Sequence, residues 1–212
     1  MILAAVAAIV LPLAGATQIN MQIESGGVHL IAAAGVRTVT IRSTARGNAA
    51  PPRVEVTRNG KAMAIVLTGH SGASVPFAQG AAGSVGYEIV YPANVRIEAS
   101  ELSGDITLDG EQTRAALETN AGSIYVNNAR GELDLAAGDG DITVTLAKGW
   151  KAPSLRMQSA NGTLRLSVPP SFRAHIDAQA DIGSVHDSLA RAAANRPFVW
   201  LYSERGDIFI QR

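Results

Sequence analysis

Along much of the chain, apolar and polar residues alternate one for one, the period that sends successive side chains to opposite faces of a β-strand. The alternation is clearest where a glycine, a polar residue and a spaced pair of aliphatics recur as a block. Four blocks come close together: Gly104-Asp105-Ile106-Thr107-Leu108, Gly122-Ser123-Ile124-Tyr125-Val126, Gly131-Glu132-Leu133-Asp134-Leu135 and Gly140-Asp141-Ile142-Thr143-Val144. Three more follow: Gly162-Thr163-Leu164-Arg165-Leu166, Gly183-Ser184-Val185-His186-Asp187 and Gly206-Asp207-Ile208-Phe209-Ile210. Aligned on glycine, the next position is polar in all seven, and the second and fourth are aliphatic in 13 of 14 places, Asp187 being the exception. Each block predicts a short strand with one dry and one wet face, opened by a glycine at a bend that excludes a Cβ. Asp or Ser beside that glycine suits the turn, because its side chain can bond local backbone.

Spacing then arranges the strands. The glycine-to-glycine steps are 18, 9, 9, 22, 21 and 23 residues. A repeat of about 20 residues that cannot bury its own apolar face points to a solenoid, each coil stacked on the last. An antiparallel sandwich would put strands every 8–12 residues and join neighbours by hairpin turns. Beyond residue 104 no Asn-Gly lies between two closely spaced strands, so residues 87–212 are expected to form an all-β, single-stranded β-helix-like solenoid.

Residues 17–86 predict a smaller N-terminal β region, continuous with the solenoid as one domain. Ile19, Met21 and Ile23 alternate, Gly27 to Leu30 and Val39 to Ile41 read as short strands, and Arg58-Asn59-Gly60-Lys61 between two strand-like runs predicts a hairpin. Residues 69–86, rich in Gly, Ala and Ser, predict a loop. Asp187 to Arg196 has helix-forming composition behind an Asp187 or Ser188 cap. Phe198, Trp200 and Tyr202 alternate with Val199 and Leu201, a last strand whose aromatics are expected to close the open end of the stack.

Residues 1–16 carry no charged side chain and end in Ala14-Gly15-Ala16. Small residues at those positions predict an export signal cut after Ala16, with an uncleaved anchor or a buried first element as alternatives. Pro12 and the early polar Thr17, Gln18 and Asn20 leave the run short of the roughly 20 apolar residues a membrane span needs. The mature chain is therefore expected outside the cytoplasm, in the periplasm or secreted, without a stable membrane span.

The whole sequence has 212 residues, with 18 basic and 18 acidic side chains and no cysteine. Balanced charge excludes the excess of Lys and Arg that nucleic-acid binding uses to release counterions. The absence of cysteine excludes disulfides and thiolate metal sites.

Candidate chemistry is sparse. His29, His70, His175 and His186 have no metal-site spacing. Gly138-Asp139-Gly140-Asp141 is explained by turn chemistry without calcium. Asp105, Asp141 and Asp207 would line up along one edge if the coils stack, an arrangement a polysaccharide-cleaving enzyme could use, yet Asp after a bend glycine is expected whatever the function. Tyr125 and Phe209 point outward and could stack on a sugar or partner. No nucleophile elbow, phosphate loop or dinucleotide fingerprint is present, so no catalytic, cofactor or metal residues are assigned and no cofactor is expected.

Tyr87-Glu88-Ile89-Val90-Tyr91-Pro92 followed by Leu102-Ser103-Gly104-Asp105-Ile106, and Leu164 to Pro169 followed by Gly183, resemble the strand–Pro–strand–Gly-Asp-Ile units of the bacterial putative adhesin domain of unknown function. The resemblance spans about residues 19–212. It implies a right-handed β-solenoid exported to the bacterial envelope, with adhesion or envelope signalling as its role and no catalytic residues to carry over. The reading is thus a non-enzymatic, adhesin-like binding or scaffolding module whose partner is an envelope protein or polysaccharide. A carbohydrate-active lyase or hydrolase on a β-helix, and an envelope signalling partner, are the alternatives.

Overall fold

The computed structural model describes residues 5–46, 53–68, 84–110, 113–189 and 197–212. Among these the chain forms strands and no helix. The first seven are Ala5–Pro12 (β1), Gln18–Ile23 (β2), Gly27–Ala33 (β3), Thr38–Arg46 (β4), Arg53–Asn59 (β5), Ala62–Thr68 (β6) and Ser84–Pro92 (β7). Next come Arg96–Ser103 (β8), Ile106–Gly110 (β9), Arg114–Ala121 (β10), Ile124–Ala129 (β11), Glu132–Asp139 (β12), Ile142–Leu146 (β13), Ser154–Asn161 (β14) and Leu164–Ser167 (β15). His175–Ile182 (β16), Val185–Asp187 (β17), Phe198–Arg205 (β18) and Ile208–Gln211 (β19) complete the chain.

Two mixed sheets face each other, one ordered β1-β4-β7-β3-β9-β11-β13-β15-β19-β17 and the other β16-β18-β14-β12-β10-β8-β2-β6-β5. Each coil gives one strand to each sheet and pairs in parallel with the coils above and below, so the solenoid has two strands per turn. Parallel register stacks like on like. Ile106, Ile124, Ile142, Leu164 and Ile208 form one interior row, and Leu108, Val126, Val144, Leu166 and Ile210 the next. All ten are buried, because each aliphatic has a counterpart one interstrand step away and the opposite sheet across from it.

Chain order and stacking order part company at both ends. The coil β2–β3 sits against β8–β9, with β6–β7 outside it, so the strands before and after residue 86 share both sheets. Antiparallel strands β4, β1 and β5 then cover that end. At the other end the last coil, β18–β19, inserts between β14–β15 and β16–β17. Burial explains the swap. Val199, Leu201, Ile208 and Ile210 can fill an interior slot, whereas β16 and β17 offer Ala178, Ala180 and Asp187 and leave Val185 and Ile182 exposed. The break at Asp187 is thus the mark of a terminal coil.

Several expectations change accordingly. The aromatics of β18 do not close the stack; they lie on the outer face of an internal strand. Asp187 ends a strand, and its carboxylate accepts the Leu189 N–H at 2.8 Å, while residues 190–196 of the expected helical insertion lie outside the described residues. Of the expected loop at 69–86, residues 84–86 belong to β7 and the remainder lies outside the described residues. The hairpin forms, its two-residue turn falling on Gly60-Lys61 with Gly60 at φ +59°. Residues 5–12 of the expected export signal pair along their length with β4, as the edge strand of the ten-stranded sheet.

Candidate functional site

The bend glycines stack. A Cβ on Gly122 would overlap the carbonyl oxygen of Gly104, and one on Gly140 that of Gly122, so the coils approach too closely at this corner for any side chain. Gly131 stands apart from this ladder: its block opens β12 at the opposite corner.

Beside the ladder runs the row Asp105, Ser123, Asp141, Thr163, Asp207, Ser184. Each carboxylate accepts the backbone N–H of the next coil: Asp105 from Ser123 at 2.7 Å, Asp141 from Thr163 at 2.8 Å and Asp207 from Ser184 at 2.9 Å. Asp141 also takes an Arg165 N–H at 3.1 Å. Carboxylate alternates with hydroxyl, which keeps like charges two interstrand steps apart, about 10 Å. The row is therefore a lacing of the corner, with one oxygen of each carboxylate committed to a backbone amide.

The histidines are not brought together. His29 pairs with Asp109 at 2.6 Å on the outer face of the ten-stranded sheet, His175 stacks on Phe198 and His186 on Phe209, and His70 lies outside the described residues. Asp109 is half-buried, which favours its neutral form, but hydrogen bonds from Asn127 and His29 and the charge of His29 outweigh this and hold its pKa below the usual carboxylate value. Among the described residues no three His, Asp or Glu side chains are placed to hold a metal ion. Asp139 accepts a hydrogen bond from Asn161 at 2.7 Å. Tyr125 and Phe209 do face outward, Phe209 lying under the Arg165 guanidinium.

Two features were not anticipated. The first is Glu101, buried against the glycine corner with neither carboxyl oxygen hydrogen-bonded. The residue three places before each bend glycine points inward here, and elsewhere it is small: Thr119, Ser159 and Ser203 donate their hydroxyls to the carbonyls of Gly104, Gly140 and Gly162 in the preceding coil. Glu101 alone fills that position with a carboxyl. Burial, and then the charge of Asp105, push its pKa up to about 8. The neighbouring Tyr87 hydroxyl, also buried without a partner, is raised to about 12 by burial and by the charges of Glu101 and Glu24. Reading the glycine blocks backward by three residues would have singled out Glu101.

The second is the outer face of the nine-stranded sheet. Ala116 and Ala136 leave a depression of about 430 Å³ rimmed by Glu98, Glu118 and Asp134. It adjoins one of about 380 Å³ walled by Phe198 and Trp200, through Asp134, and one of about 300 Å³ beside Tyr202, through Glu118 and Ala136. Together they form a trough across the strands. Its aromatic wall is braced: the Arg156 guanidinium lies 4.6 Å from the Trp200 ring and donates to Gln158, while Tyr202 donates to Asp181 at 2.6 Å. No sequence motif marks this trough, because it gathers residues from six strands.

Comparison with known proteins bears on the fold. The family model described as Toastrack DUF4097 matches residues 8–197. No curated protein matches the sequence. Among solved structures, one described as a putative cell adhesion protein from Clostridium sporogenes superposes with a TM-score of 0.62 at 12% identity, covering 98% of this chain and 99% of its own. A putative adhesin from Bacteroides fragilis gives a TM-score of 0.46 at 12% identity, covering 98% of this chain and 96% of its own.

Proposed function

Since this chain belongs to the Toastrack DUF4097 family, we propose that it is a non-enzymatic, adhesin-like binding or scaffolding module of the bacterial envelope, exported by its apolar N-terminal segment. The observation that carries this reading is the trough on the outer face of the nine-stranded sheet, a continuous recess on a rigid flank where every strand beneath is paired on both sides. Rigid, pre-formed recesses with a few polar groups are how binding surfaces limit the entropy lost on association. The description of the Clostridium sporogenes neighbour as a putative cell adhesion protein is in keeping with that role. The carboxylate row supports a structural assignment over a hydrolytic one, since each of its three carboxylates already accepts a turn amide through one oxygen. We take the coil to be right-handed, as parallel β-crossovers within a sheet overwhelmingly are. Cutting after Ala16 would remove the outermost strand of one sheet together with Leu11, Leu13 and Ala16, which pack on the core, and would leave β4 paired with β7.

The test is retention of isolated bacterial envelopes on beads coated with the chain. Retention above bare beads that falls when Ala136→Arg fills the trough is the expected result. Retention no better than bare beads would overturn the reading.

A further inference from the structure

We propose that the trough on the nine-stranded sheet binds a linear, uncharged polysaccharide laid across the strands. This assignment rests on the binding-module reading above and names the ligand class. Three observations lead to it.

The first is shape. The joined depressions run from β2 to β18, five interstrand steps, or about 24 Å at ~4.8 Å each. A recess that long and shallow suits an extended polymer better than a compact metabolite.

The second is the state of the floor. Strands β8, β10 and β12 are paired on both sides, so their backbone N–H and C=O groups are spent in the ladder. An extended peptide is normally held by main-chain bonds at a sheet edge; here a ligand can be read only by side chains. Carboxylates and amides on the rim and aromatic rings at one end are the groups that hold a polyhydroxyl chain, accepting from its hydroxyls and covering its C–H faces.

The third is charge. The arginines of this face are engaged: Arg96 with Glu98, Arg114 with Glu132, and Arg156 with Trp200 and Gln158. Glu118 and Asp134 are exposed beside the small-residue floor and, among the described residues, pair with no cation. Their field disfavours a polyanion such as a uronate chain, a phosphate-rich polymer or a nucleic acid.

The experiment is affinity electrophoresis of the full chain through gels containing hydroxyethylcellulose, laminarin, galactomannan or dextran, with polygalacturonate as the anionic comparator. Retardation is compared with that of Trp200→Ala and Ala136→Arg. Both positions lie on the outer face, and a melting temperature within a few degrees of the parent verifies that each variant is folded. The expected result is retardation by at least one uncharged polysaccharide, weakened about tenfold or more in both variants, with none by polygalacturonate. Retardation unchanged in the variants, or strongest with polygalacturonate, would overturn the proposal. So would no retardation in any gel. If envelopes are still retained on coated beads in that last case, the ligand class alone is wrong; if they are not, the binding-module reading falls with it.

Discussion

Replacing Glu101 by glutamine tests whether the corner of the β8–β9 coil holds a neutral acid. The carboxyl occupies the position from which Thr119, Ser159 and Ser203 donate to a carbonyl of the preceding coil, and for Glu101 that coil presents Gly26. Glu101 Oε1 and the Gly26 carbonyl oxygen both crowd the space beside Gly104. A carboxylate cannot donate there and meets the charge of Asp105; a carboxylic acid can donate, as glutamine can. With the pKa raised from 4.5 in the unfolded chain to about 8 in the folded one, the folded state binds more protons than the unfolded between those values. Stability attributable to this group is thus full below pH 4.5 and falls by about 1.4 kcal/mol per pH unit until pH 8, where it levels off. The whole loss comes to roughly 4–5 kcal/mol, a large part of what a domain of this size has. Urea denaturation of wild type and Glu101→Gln across pH 5 to 8 isolates it, because groups that do not interact with Glu101 cancel in the difference. The variant should match wild type near pH 5 and exceed it by about 3–4 kcal/mol near pH 8. Parallel curves for the two proteins would refute a protonated Glu101.

The other predictions concern the stack itself. Ile142→Asp places an unpaired charge in the interior row between Ile124 and Leu164 and should unfold the chain, whereas Thr143→Asp on the outer face, beside Arg165, should be tolerated; equal melting temperatures would reject the facing of β13. Gly140→Ala forces a Cβ into the Gly122 carbonyl and should cost several kcal/mol in a denaturant melt, while Gly86→Ala, which meets open space, should be near neutral. Ser159→Ala removes the hydroxyl bond to Gly140 and should lower stability by about 1 kcal/mol; no change would mean that the corner hydroxyls are incidental.

Period-two alternation, bend glycines and a repeat near 20 residues are enough to read an all-β stack of coils, because each follows from chemistry within five residues of a glycine. The interior rows Ile106 to Ile208 and Leu108 to Ile210 follow from aligning the blocks on their glycines once the Gly131 block, which belongs to the other sheet, and the Gly183 block, whose Val185 is exposed, are set aside. The turn role of Asp105, Asp141 and Asp207 is equally local, since a short acceptor beside a bend seeks the nearest free amide. What local pattern cannot decide is which coil sits beside which. Burial of Val199, Leu201, Ile208 and Ile210 sends the last coil inside the stack and leaves the Asp187 coil at its end, a choice made by comparing faces far apart in the chain. The trough, with Ala116, Asp134, Arg156 and Trp200 on four neighbouring strands, exists only once that order is set, and so does the isolation of Glu101 against a corner built by Gly26. Alternation along each strand determines which way a side chain faces; only the assembled sheets determine what it faces.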